Sequence, residues 1–150
     1  MTKTKLIFLT ASAVTFIALA FYGFSLQQDK EPWTPQQLLD PAELAKTLSD
    51  ANAPHPTVFC IGPQAVIKNS IFIGPTGSKE NLKKFREQVR RLAKDANIVV
   101  YCGCCPFSRC PNIRPAFRVL NEMGFTNPRL LNLPHNIKAD WIDHDYPVNN

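Results

Sequence analysis

The pattern of hydrophobic and polar positions divides the chain into alternating strand-like and helix-like segments. Short apolar runs rich in β-branched and aromatic residues predict strands, and apolar residues spaced three or four apart predict helices. The predicted strands are 57–62, 70–75, 97–102 and 129–133. The predicted helices are 41–49, 79–96, a segment from Asn112 to Gly124, and 137–143.

This alternation predicts an α/β domain. Its sheet should be mainly parallel, with helices on both faces. Parallel strands connected in this way end along one edge of the sheet, where open α/β sheets bind their ligands. Cys60 and Cys102 both lie at strand exits. We therefore expect them to share that edge.

Several helix boundaries carry local signals. Asp40 and Ser78 precede helix-like segments as capping residues, and a second possible helix start lies at Thr34. Asn112 is placed to cap the next helix, and Gly124 is placed to end it.

The N-terminus has the features of an export segment. Lys3 and Lys5 precede an uncharged, apolar run from Leu6 to Leu26, long enough to cross a bilayer as a helix. It predicts a signal anchor, with a signal peptide cleaved after Ala20 as the alternative. The predicted organisation is a signal or anchor segment (1–26), a linker (27–34) and one domain (35–150). The domain is expected on the periplasmic side of the inner membrane, or exported to the periplasm, with the membrane as a partner through the N-terminal helix.

Composition agrees with a globular domain, since 45% of residues are hydrophobic and 19% are charged. The net charge of +5 is moderate. Many of the cationic side chains fall in the predicted helix 79–96, which is either a solvated face or a surface for anionic headgroups or an acidic partner. Nucleic acid is not expected as a partner outside the cytoplasm.

Cysteines are the strongest chemical signal. The chain has five, an odd number, and four of them fall in one loop between a predicted strand and a predicted helix. An oxidising compartment favours pairing of idle thiols. The five are Cys60, Cys102, Cys104, Cys105 and Cys110.

Five short elements follow one another along the second half of the chain. They are Val100-Tyr101-Cys102, Met123-Gly124-Phe125, Asn132-Leu133, Trp141 and Tyr146-Pro147-Val148. With these elements, the order of segments across about 35–148 resembles the rhodanese-like domain family. That resemblance implies a three-layer α/β fold and sulfane-sulfur transfer.

Two departures from the family accompany these matches. Cys60-Ile61-Gly62 stands where the family has Asp-Val-Arg. The loop after Cys102 is longer than usual, and the extra length contains the other three loop cysteines.

The resemblance implies that Cys102 is the nucleophile, which forms a persulfide with a small donor such as thiosulfate and passes the sulfur to a thiol acceptor. No cofactor is expected. Cys104, Cys105 and Cys110 are further catalytic candidates, and Cys104 or Cys105 could resolve the persulfide. Gly103, Arg109 and Arg114 are candidates for holding the anionic donor, with solvated arginines as the alternative reading.

Three other readings remain open. Cys102 and Cys105 form a Cys-x-x-Cys pair suited to thiol–disulfide exchange. The four loop cysteines, with or without Cys60, could bind Cu(I) or zinc. A structural disulfide, such as Cys102–Cys110 or one from Cys60 to the loop, could instead staple a non-catalytic binding module.

Overall fold

The structure, a computed structural model, describes residues 31–149. The predicted signal or anchor segment (1–26) and the first part of the linker lie outside these residues. Within 31–149, no helix is both long enough and apolar enough to cross a membrane.

A parallel five-stranded sheet forms the centre of the described residues. The strand order is β1-β5-β4-β2-β3, and every neighbouring pair runs parallel. All four residues of the central strand β4 are buried, as expected for a parallel strand covered on both faces. The predicted α/β class and parallel sheet are therefore confirmed. The strands are β1 (Leu38–Leu39), β2 (Thr57–Cys60), β3 (Ile71–Phe72), β4 (Ile98–Tyr101) and β5 (Pro128–Leu131).

Helices cover both faces of the sheet. Successive strand residues point to opposite faces. The face that carries Val100 packs against α2 and α3 through Phe85 and Phe117. The face that carries Val99 packs against Leu44 of α1 and against Trp141. The helices are α1 (Pro41–Ser49), α2 (Lys79–Val89), α3 (Ile113–Glu122) and the short α4 (Ile137–Asp140).

The predicted cap of α1 is confirmed. This helix has its predicted bounds, and the Asp40 carboxylate accepts a hydrogen bond of 2.8 Å from the Ala42 N–H. The helix start expected at Thr34 is a single 3₁₀ turn, Pro35–Gln37, whose Gln37 side chain accepts from the Thr34 N–H at 2.9 Å. The edge strand β1 follows that turn directly and was not predicted.

Other boundaries differ from the predicted ones. α2 ends at Val89 rather than at 96. The chain continues from there in turns, and the Lys94 carbonyl accepts a hydrogen bond of 2.9 Å from the Thr126 N–H instead of one from its own helix. β5 is Pro128–Leu131 rather than 129–133. The last predicted helix is divided at Trp141 into α4 and a 3₁₀ turn, Ile142–His144.

The backbones of Gly62 and Cys102 touch where β2 and β4 leave the sheet. The pairing of these strands continues past their ends, because the Ile61 N–H donates to the Tyr101 carbonyl at 2.9 Å. A Cβ atom on Gly62 would lie only 2.0 Å from the carbonyl oxygen of Cys102. Only glycine fits at this point, and the contact sets the path of the chain at Cys102.

We expect Gly62→Ala to destabilise the fold by about 1–3 kcal/mol, because the added methyl group must push β2 and β4 apart. Gly124→Ala is the control, because Gly124 has open space around its Cβ position. Its φ is +74°, so we expect this substitution to lower the free energy of unfolding only by the backbone strain, about 1 kcal/mol. Urea unfolding midpoints measure both effects. An unchanged midpoint for Gly62→Ala would contradict the close contact.

Candidate active site

Cys102 occupies the edge at which the parallel strands end. It follows the last residue of β4, and it is only 2% exposed, in the core beneath α2 and α3. The strand pairing and the Gly62 contact hold its backbone from one side. The nucleophile predicted from the sequence therefore has a rigid and nearly buried position.

Gly103 turns the chain out of the strand. Its φ is +82°, in the left-handed region that favours glycine. Its carbonyl accepts a hydrogen bond of 2.9 Å from the Ile137 N–H. A side chain at this position would also meet Ile137, since a Cβ would lie 2.9 Å from the Ile137 Cβ. Gly103, predicted as an anion-binding residue, shapes the turn and anchors the loop to the start of α4.

The segment after β5 supports the loop from its other end. The Leu133 carbonyl accepts from the Phe107 N–H at 3.0 Å. Asp140 is largely buried and ties this segment down, because its carboxylate accepts from the His135 and Asn136 N–H groups at 2.7 and 3.0 Å. The long cysteine loop is thus fixed to the fold at both Gly103 and Phe107.

Three loop sulfurs form one cluster. The Sγ atoms of Cys102, Cys104 and Cys110 all lie within 4.8 Å of one another. Cys102 Sγ and Cys104 Sγ are 3.2 Å apart, and Cys104 Sγ is 3.3 Å from that of Cys105. All are free thiols in this structure, with Cys110 buried, Cys105 half-buried and Cys104 exposed. The structure thus brings the four predicted loop cysteines together.

Asn112 binds the sulfur of Cys102. Its side-chain amide donates to Cys102 Sγ at 3.3 Å, and its Oδ1 accepts from the Gly77 N–H at 2.9 Å. Its carbonyl accepts from the Thr76 hydroxyl at 2.6 Å. Asn112 does precede the first residue of α3, as predicted, but its side chain makes no capping hydrogen bond. Instead it is oriented toward the thiol by the loop after β3.

The contact of Asn112 with Cys102 was not predicted from the sequence, and neither was the role of Thr76 and Gly77. The available signal was that Thr76 and Gly77 directly follow a predicted strand, and parallel strands end at one edge.

This environment favours the thiolate of Cys102. Hydrogen bonds from the Cys110 thiol, the Asn112 amide and the Cys104 N–H lower the pKa of Cys102 from 9.0 to about 5, against the opposing effect of burial. The N-terminus of α3 lies beside the same sulfur and adds positive potential. Because folding lowers this pKa, the thiolate stabilises the fold fully above pH 9.0 and loses that contribution as the pH falls through about 5.

The neighbouring thiols retain their protons. Partial burial, together with the Cys102 and Cys105 sulfurs, raises the pKa of Cys104 to about 12. The hydrogen bond to Cys102 and burial raise the pKa of Cys110 still more strongly. At neutral pH the cluster therefore combines one thiolate, on Cys102, with protonated Cys104 and Cys110.

The two predicted anion-binding arginines occupy different settings. Arg114 forms an ion pair with Glu31, donates to the Ser108 carbonyl at 2.8 Å, and lies 5.5 Å from the centre of the Trp33 ring. These contacts order the loop backbone. Arg109 is exposed at the end of the loop's 3₁₀ turn, Phe107–Arg109, where its charge faces solvent.

Cys60 lies at the same edge but on the other face of the sheet. Its backbone pairs with Tyr101, and its side chain belongs to the core beneath α1, where its thiol donates to the Gln64 carbonyl at 3.1 Å. Burial raises the pKa of Cys60. The expectation that it shares the edge with Cys102 is confirmed, but the sulfur cluster is formed by the loop cysteines.

Comparisons of the chain with protein-family models, with curated proteins and with solved structures found no match. The fold and the site by themselves define residues 31–149 as a parallel α/β domain with a cysteine cluster at the end of its central strand.

We predict that ultraviolet absorbance of the thiolate will show one thiol ionising with a midpoint near pH 5, since the pKa of Cys102 is lowered to about that value. Cys102→Ser should abolish this transition. Asn112→Ala should raise its midpoint by about one pH unit, because a hydrogen bond to a charged group contributes about 1.5 kcal/mol or more.

Asn121→Ala is the matched control for Asn112→Ala, because Asn121 is an exposed asparagine near the C-terminal end of α3, the helix that Asn112 precedes. Its titration should match that of the unmodified protein. A first thiol midpoint above pH 8 in the unmodified protein would contradict the assignment.

Proposed function

We propose that this domain is a rhodanese-like sulfurtransferase whose Cys102 takes a sulfane sulfur from a small anionic donor and carries it as a persulfide. The observation that carries the proposal is the Cys102 thiolate. It is buried at the end of β4, it accepts a hydrogen bond from Asn112, and its pKa is lowered to about 5. A thiolate, rather than a thiol, is the nucleophile in sulfur chemistry.

The family resemblance supports this reading. The rhodanese-like pattern implies a catalytic cysteine at a strand exit, followed by a loop and a helix, in a sheet covered on both faces. Cys102, the loop and α3 have this arrangement, with the remaining helices distributed over the two faces. The Asp-Val-Arg element of the family is missing here. Asn112, held by the Gly77 N–H, provides a neutral donor to the sulfur instead.

The transfer step balances with thiosulfate as the donor. The Cys102 thiolate attacks the outer sulfur of thiosulfate, a new S–S bond forms, and the S–S bond of the donor breaks with release of sulfite. The product is the Cys102 persulfide anion. An acceptor thiol then takes up the outer sulfur and restores the Cys102 thiolate. This chemistry requires no general base, because Cys102 is already ionised at neutral pH.

The surroundings of the loop suit an anionic donor. Arg109 is exposed on the loop and provides a positive charge close in sequence to the cluster. The N-terminus of α3 adds its dipole. Arg114 acts indirectly, since its guanidinium is already engaged by Glu31 and by the loop carbonyls.

The proposed setting is outside the cytoplasm. The uncharged run from Leu6 to Leu26, preceded by Lys3 and Lys5, supports attachment to the inner membrane with the domain on the periplasmic side. The acceptor in that compartment would be a thiol compound or a protein thiol.

We predict that the reduced full chain, purified in mild detergent, will release about one sulfite per chain when it is treated with thiosulfate, since one thiolate is available per site. Cys102→Ser should abolish this release. Cys60→Ser should leave it unchanged, because Cys60 lies on the opposite face of the sheet. Sulfite is measured rather than bound sulfur because its yield does not depend on the fate of the persulfide. Equal release from Cys102→Ser would reject Cys102 as the nucleophile.

A second candidate function is thiophilic metal binding, which the close approach of three sulfurs favours. The Sγ atoms of Cys102, Cys104 and Cys110 lie within 4.8 Å of one another. Soft thiolate ligands select Cu(I), and they also bind zinc. The metal would bind Cys102 Sγ, the atom that the transfer reaction requires as its nucleophile. The two functions therefore exclude each other at one site.

We expect that, if this second function is correct, Cu(I) will bind one ion per chain in competition with a chromogenic chelator, since these three sulfurs form a single cluster. Cys110→Ser should then weaken binding more than Cys60→Ser does. Bound Cu(I) should also block sulfite release. Failure of the chain to take Cu(I) from the chelator would exclude a tight copper site.

A further inference from the structure

Cys104 differs from the other loop cysteines in its access to both Cys102 and solvent. Its sulfur is 3.2 Å from that of Cys102, and its side chain is exposed. Gly103 alone separates the two residues, and its left-handed backbone turns Cys104 back toward the end of β4. The arrangement places a second thiol next to the sulfur that would carry a persulfide.

The remaining loop thiols are placed for other roles. Cys110 is fully buried, and its hydrogen bond is the largest contribution that lowers the pKa of Cys102. Cys105 lies beyond Cys104, at 3.3 Å from the Cys104 sulfur. Cys104 is therefore the thiol that can reach Cys102 with the least movement and still meet a partner in solution.

We propose that Cys104 is a resolving cysteine, which attacks the Cys102 persulfide, releases hydrogen sulfide and leaves a Cys102–Cys104 disulfide. This inference rests on the proposed function, because it requires that Cys102 acquires a sulfane sulfur. It extends that function from sulfur carriage to reductive release of sulfide.

The step balances in atoms and electrons. The outer sulfur of the Cys102 persulfide anion first takes the proton of the Cys104 thiol, which makes Cys104 a thiolate. The Cys104 sulfur then forms a bond to the inner sulfur, Sγ of Cys102, and the bond from that sulfur to the outer sulfur breaks. The outer sulfur leaves with the electron pair and its proton as the hydrosulfide anion. The two cysteines are oxidised to a disulfide, and the sulfane sulfur is reduced.

Recovery of the site requires an external dithiol reductant, and the structure indicates where it would attack. Of the two sulfurs in the disulfide, that of Cys104 is the more accessible. Attack on Cys104 expels the sulfur of Cys102, whose thiolate is the better leaving group because its pKa is about 5. The reductant is oxidised to its own disulfide, and both cysteines return to the starting state.

The test is a single turnover of the reduced full chain in mild detergent, with thiosulfate and without any added reductant. Sulfite and sulfide are measured together, and cysteine peptides are then mapped by mass spectrometry. The unmodified chain should release about one sulfide for each sulfite and contain a Cys102–Cys104 disulfide. Cys104→Ser should still release sulfite, accumulate a persulfide on Cys102, and release sulfide at least about ten-fold more slowly, because the intramolecular attack is lost.

Cys60→Ser is the control, since it removes a thiol that lies on the opposite face of the sheet and outside the sulfur cluster. It should release sulfite and sulfide as the unmodified chain does. Sulfite release with equally fast sulfide release from Cys104→Ser would overturn the role of Cys104 and leave the proposed function intact. A disulfide mapped to Cys102–Cys110 in the unmodified chain would also overturn the role of Cys104 without contradicting the proposed function. Absence of sulfite from both the unmodified chain and Cys104→Ser would overturn both proposals.

Discussion

The parallel pairing of β2 with β4 is the constraint on which the site depends. It places the exits of both strands side by side, and it continues one residue further, through the hydrogen bond from the Ile61 N–H to the Tyr101 carbonyl. The contact of Gly62 with the Cys102 carbonyl then leaves the chain no room to shift. A thiolate nucleophile gains from such a fixed position, because its hydrogen-bond donors can be arranged around it before any substrate arrives.

Successive side chains at the end of β4 and just after it point to opposite faces of the sheet. The Tyr101 hydroxyl points into the core beneath α1 and accepts from the Val66 and Ile67 N–H groups at 3.0 and 3.2 Å, which anchors the loop after β2. Cys102 points the other way, toward α3. Cys60 pairs with Tyr101 and shares its face, so it stays apart from the sulfur cluster although it ends a neighbouring strand.

The sequence was sufficient to predict the α/β class, the common edge and the bounds of α1, because those features depend on local patterns and on a cap such as Asp40. It was not sufficient for β1, since Leu38 and Leu39 are too few to show alternation and their partner strand lies far along the chain. Asn112 was missed for a different reason. A helix-capping asparagine and one that donates to a sulfur look the same in sequence, and only the tertiary contact with Gly77 distinguishes them.

Sulfur chemistry and metal binding use the same atoms, and the protonation of the cluster helps to separate them. A metal must displace the protons of Cys104 and Cys110, whose pKa values the neighbouring sulfurs raise. A nucleophile needs only the single thiolate already present on Cys102, and the protons kept by its neighbours stabilise that charge. Metal binding at neutral pH therefore releases the protons of Cys104 and Cys110, whereas the attack of Cys102 on a donor releases none, although both reactions begin from the same single thiolate.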